Sequence, residues 1–73
     1  MERENSSMYQ RLVAKIGNTG IVAEDYGGYE ITVKDNEKFP WEQVFSMLLD
    51  SGFQVWINKK NSHIQLMSKP EVN

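Results

Sequence analysis

Residues 8–35, MYQRLVAKIGNTGIVAEDYGGYEITVKD, decide the fold of this chain. Two glycine-bearing turns, Gly17-Asn18-Thr19-Gly20 and Gly27-Gly28, lie between runs rich in β-branched and aromatic residues, the composition of strands joined by tight hairpins. Tyr29, Ile31 and Val33 alternate with Glu30, Thr32 and Lys34, a period of two. The stretch therefore reads as a three-strand meander. With Asn18-Thr19 and Gly27-Gly28 as two-residue loops, Ile16 faces Ile21 and Ala14 faces Ala23 on one side of the sheet. Val22 faces Val33 and Tyr26 faces Tyr29 on the other. The same register sets Asp25 across from Glu30, and like charges so placed destabilise a strand pair. The turn must then be longer, or a cationic partner must sit there.

The next segment, FPWEQVFSMLLDSG, reads as the one helix. Pro40 suits the first helical position, where its missing N–H costs nothing. Glu42 lies in the first turn, where the helix dipole favours an anion. Trp41, Val44, Phe45 and Leu48 recur at helical spacing and form the expected buried stripe, with Glu42, Gln43 and Ser46 facing water. Gly52 supplies a left-handed cap, and Phe53 after it can fold back on Leu48.

The last stretch reads as a hairpin. Phe53, Val55 and Ile57 alternate with Gln54, Trp56 and Asn58, and Ile64 and Leu66 alternate with His63, Gln65 and Met67. The faces match only if paired positions sum to an odd number. With Lys59-Lys60 at the tip, Val55 pairs with Ile64, Phe53 with Leu66 and, on the other face, Trp56 with His63. The expected fold is α+β: one small domain over residues 1–73, an antiparallel sheet of four to five strands in the order βββαββ, with one helix on one face. Residues 1–7 and 69–73 read as flexible tails.

Composition narrows the function. The 73 residues make one domain with a thin core. The chain has no cysteine and one histidine, which excludes a disulfide framework and an ordinary structural zinc site. Eight Lys plus Arg against ten Asp plus Glu leave a net charge of −2, against a strongly basic nucleic-acid binder. The N-terminus carries no apolar signal-peptide region, and VFSMLL is far shorter than the roughly 20 residues of a membrane helix. A cytoplasmic chain with no cofactor and no membrane contact is expected.

Few residues carry chemistry. His63 would need a nearby carboxylate or nucleophile to act as a base, and its neighbour Ser62 would point to the opposite face of a strand. Glu24, Asp25, Glu30, Asp35 and Glu37 form an acidic run without the ligand spacing of a calcium loop, so no metal is expected. Lys59, Lys60 and His63 beside Trp56 make a basic tip with an aromatic, an arrangement that can hold phosphates and stack a base.

The stretch LLDSGFQVWINKKNSHIQLM resembles the core of the small HicA-type mRNA interferase toxins, which have a helix ending in Gly-aromatic, a strand, a short basic loop and a Gly-Ser-His opening the next strand. The resemblance implies RNA cleavage with His63 as the catalytic histidine. Asn61 stands where that family has glycine, and the spacing from Gly52 to His63 is one residue longer.

Area decides between these readings. One helix covers one face of a sheet, leaving aromatic and aliphatic residues over, and exposed aromatic patches on a small domain mark a partner. No catalytic residues are expected. Trp56, His63, Lys59, Lys60, Tyr26 and Tyr29 are the expected partner-binding residues. The chain reads as a small non-enzymatic binding protein, a regulator or inhibitor that contacts another protein or a second copy of itself. Its size is that of regulators encoded by phages and mobile elements. Nucleic-acid binding through the basic hairpin 56–63, with HicA-like cleavage as its extreme form, is the alternative.

Overall fold

The computed structural model describes residues 3–71, with side chains from Met8 onward except that of Asp25. Its element order is α1 (Arg3–Ile16), a short 3-10 turn (Gly17–Thr19), β1 (Gly20–Asp25), β2 (Gly28–Val33), α2 (Trp41–Asp50), β3 (Phe53–Lys60) and β4 (His63–Pro70). The four strands form one antiparallel sheet in the order β1-β2-β4-β3. The α+β class and the four-stranded sheet are as the sequence suggests.

The first element differs: what reads as the opening strand of a meander is α1, so the order is αββαββ. Met8, Leu12 and Ile16 are buried, at a spacing of four, while Arg11 and Lys15 between them are exposed. That is one apolar stripe of a helix, and it outweighs the strand preference of Val13 and Ile16. Gly17, at φ +58°, is the left-handed residue that ends α1 rather than part of a hairpin loop. Thr19 Oγ1 donates to the Ile16 carbonyl at 2.6 Å, satisfying one of the carbonyls the helix end leaves open. Of the segments read as tails, Arg3 to Ser7 are helical within α1 and Lys69 and Pro70 belong to β4; residues 1–2 and 72–73 lie outside the described residues.

Both helices lie on one face of the sheet. Met8, Leu12 and Ile16 of α1 and Val44 and Leu48 of α2 meet Tyr29, Ile31 and Val33 of β2 and Leu66 of β4 in one core. Phe39, just before α2, joins them, and Trp41 and Phe45 pack half-buried at its edge. Trp41 Nε1 donates to the Asn36 carbonyl at 2.9 Å, so its one polar atom is satisfied. Pro40 precedes the helix as its N-terminal cap residue, and its carbonyl accepts from Val44 N at 3.0 Å. Gly52 is left-handed at φ +84°, as its position after α2 requires.

Both hairpin registers differ from expectation by an even step. The β1–β2 loop is Tyr26-Gly27, not Gly27-Gly28, so Asp25 lies across from Gly28 and Ala23 across from Glu30. The expected Asp25–Glu30 clash does not arise. The β3–β4 loop is Asn61-Ser62, which pairs Lys60 with His63, Trp56 with Met67 and Val55 with Ser68. All four loop residues have positive φ, the backbone whose twist matches that of antiparallel strands. Tyr26, Asn61 and Ser62 adopt it without being glycine, which hides both turns from a reading that looks for glycine. Gly28 has another role: a Cβ there would collide with the Ser68 carbonyl, so glycine lets β2 and β4 close up at this end.

Candidate functional site

The sheet has one covered and one open face. Because paired residues share a face, the registers define the open side as Ile21-Thr32-Gln65-Asn58 and Ala23-Glu30-Met67-Trp56, with His63 and Lys60 beyond them. Among the described residues, no helix packs here. Ile21, Ala23, Trp56, Asn58, Lys60 and His63 are exposed, and Glu30, Thr32, Gln65 and Met67 on the central strands are half-buried. Trp56 is 45% exposed and Ile21 55%. Gln65 Nε2 donates to Thr32 Oγ1 at 3.4 Å across the two central strands. An apolar group of Ile21, Ala23, Met67 and Trp56 is thus set in a polar frame, with Glu30 near its centre.

The expected contact residues divide. Trp56, Lys60 and His63 lie on the open face. Trp56 and His63 are not opposite each other: Trp56 pairs with Met67, four residues along β4 from His63 and so about 13 Å away along the strand. Lys59 belongs to the helix side, because successive strand residues alternate, and it is exposed on the edge strand β3. Tyr26 stands on the loop, 92% exposed, with the Lys69 ammonium 5.2 Å from its ring centroid, within cation–π range.

Tyr29 is a correction. It is 5% exposed and belongs to the core, where its ring lies 5.6 Å from that of Phe53. Its partner on β1 is Glu24, and its partner on β4 is Ser68. Burial, and secondarily the Glu24 carboxylate, raise its phenol pKa above the ordinary 10.0. Tyr29 therefore holds the fold and is closed to a partner. Alternation along β2, which puts Tyr29 with Ile31 and Val33, contains this answer; the supposed pairing with exposed Tyr26 obscured it.

Met67, Ile21 and Ala23 were missed as surface candidates. Their signal is the second set of alternating positions, where Ile21 and Ala23 on β1 and Met67, among the polar His63 and Gln65 on β4, are apolar at places a solvated face would make polar. His63 opens β4 and is exposed; its Nδ1 lies 3.1 Å from the Asn61 carbonyl, to which a protonated Nδ1 donates. Among the described residues, no group of three or more acidic, histidine or cysteine side chains is placed to hold a metal, and no helix is long and apolar enough to cross a membrane. An open groove of about 800 Å³ between α1 and α2 is lined by charges of both signs, Arg11, Lys15 and Glu42, with Gln43 and Ser46 and the apolar Ala14 and Met47.

No protein-family model matches this chain, and the comparisons with curated proteins and with solved structures found no match.

Proposed function

We propose that this chain is a non-enzymatic binding protein, a small regulator or inhibitor that contacts another protein through the open face of its sheet. The observation that carries the reading is Trp56, exposed in one cross-strand row with Met67 and Ala23 while both helices occupy the opposite side. A solvated sheet face favours polar residues, whereas tryptophan and methionine are enriched at the centres of protein interfaces. The frame of Thr32, Gln65, Asn58 and Lys60 supplies the hydrogen-bonding rim.

The basic tip supports the nucleic-acid alternative less well. Lys59 and Lys60 project to opposite faces, so they do not converge on one phosphate run. Paired baits test the reading: immobilised parent chain and Trp56→Ala and Met67→Ala variants are compared for the proteins each retains, with washes of rising salt. A protein held by the parent through high salt and lost from both variants supports it. Retention that fades steeply with salt and brings nucleic acid with it overturns it in favour of phosphate binding. RNA cleavage by the parent that vanishes in His63→Ala would overturn it in favour of a nuclease.

A further inference from the structure

The two edges of the sheet are not equally protected. The β1 edge is six residues long and ends near Glu24 on the helix side, and an inward-facing charge is a common block to edge pairing. The β3 edge is eight residues long, with Phe53, Val55 and Ile57 on the helix face and Trp56 between Gln54 and Asn58 on the open face. Trp56 is 45% exposed on the open face and Ile57 59% exposed on the helix face. Its charges, Lys59 and Lys60, are confined to one end.

The direction of its backbone groups follows from one hydrogen bond. Glu71 N donates to the Gly52 carbonyl at 2.9 Å, so Gly52–Glu71 is a bonded pair in the register that also contains Phe53–Pro70. Bonded and non-bonded pairs alternate in an antiparallel ladder. Gln54, Trp56, Asn58 and Lys60 therefore bond to β4, and Pro70, which has no N–H, falls in a non-bonded pair. The N–H and C=O groups of Phe53, Val55, Ile57 and Lys59 point outward from the sheet.

We infer that a second copy of this chain pairs with the β3 edge, antiparallel and about a two-fold axis at Trp56. A two-fold axis normal to the sheet keeps faces together, so paired positions must sum to an even number. Among such registers, the one that sets Trp56 opposite its own counterpart gives every outward residue a partner: Phe53 with Lys59 and Val55 with Ile57, each in both directions. A centre at Ile57 would instead leave Phe53 facing the loop residue Asn61. The Trp56 rings meet on the open face, where aromatic pairs across strands are favourable. Val55 and Ile57 cover each other on the helix face. Charge agrees with this direction, because Asp50 and Glu71 flank the Gly52 end of β3 and Lys59 and Lys60 the other. Antiparallel pairing brings the acidic end of one copy to the basic end of the next. The contact is isologous and closes at two copies, extending the open face into one eight-stranded surface. The inference does not depend on the partner proposed above, since its readout is the mass of the chain alone.

Sedimentation equilibrium from the low micromolar range to about 1 mM should show the 8.5 kDa chain converting to a species of twice that mass. Ile57→Pro removes an outward N–H and leaves the ladder to β4 intact, so it should keep the parent circular dichroism while weakening association by roughly tenfold or more. Ile57→Lys, which keeps the backbone and adds like charge beside the axis, should weaken it as well if the proline variant does not fold. A parent that stays at 8.5 kDa across the range, or a folded Ile57→Pro or Ile57→Lys chain that associates as the parent does, would overturn the inference.

Discussion

Along β4, Ile64, Leu66 and Ser68 turn toward the helices and His63, Gln65 and Met67 turn away. Leu66 and Ser68 are fully buried on the first side, whereas nothing on the second side is. The same contrast runs across the sheet: Tyr29, Ile31 and Val33 belong to the core, and Ile21, Ala23 and Trp56 meet solvent. A purely structural sheet of this size would make its outer side polar. Ile21, Ala23 and Trp56 are exposed there and lie outside the core, and the proposed contact is the use they would have. The two faces should accordingly respond to substitution in opposite ways.

The largest effect belongs to the covered face. Leu48→Ala should cost about 2–5 kcal/mol, the range for a fully buried leucine, close to the whole stability of a domain this small. Thermal melting checks it; a variant melting within a few degrees of the parent would erase the contrast.

Alkaline pH probes the same face without a core truncation. Tyr29 has a raised pKa in the folded chain, so the folded state keeps a proton that the unfolded state releases. The contribution is intact below the ordinary phenol value of 10.0 and is lost as pH rises through the folded value. Denaturant melts across that window should show stability falling with pH, and Tyr29→Phe should flatten the part of the slope due to this residue.

On the open face, Trp56→Ala should cost about 1 kcal/mol or less, the scale of one cross-strand pair, and should leave the far-ultraviolet circular dichroism folded. An unfolded variant would make Trp56 a core residue. The smallest effect returns to the covered side. Ser68 Oγ is buried without a hydrogen-bond partner, so Ser68→Ala should leave stability unchanged or raise it by up to about 1 kcal/mol. A clear loss would mean that the hydroxyl is satisfied in solution.

The sequence made the faces legible but not the pairs. Both hairpin registers sit an even number of residues from expectation, and an even slip keeps every side chain on its face. Val22 and Val33, or Val55 and Ile64, were therefore rightly grouped even though none of them pairs as expected. The pairs were hidden because Tyr26, Asn61 and Ser62 take left-handed backbone that points a reader toward glycine. Helix α2 was legible because Pro40, Glu42 and Gly52 mark both of its ends. Helix α1 was not, since a stripe of only Met8, Leu12 and Ile16 competes with strand-forming Val13 and the glycines that follow.

The most direct test places a photo-crosslinking residue, benzoylphenylalanine, at Met67 in the middle of the open face, and in a second chain at Gln43 in the groove between the helices. Each is irradiated in cells of the chain's own source. Met67 pairs with Trp56, one strand in from the β3 edge, so an adduct of twice the chain's own mass reports self-association and is read apart from an adduct with a different protein. The account predicts a discrete adduct with a different protein from position 67 and none of that mass from position 43. No protein adduct at 67, or the same adducts from both positions, would contradict it.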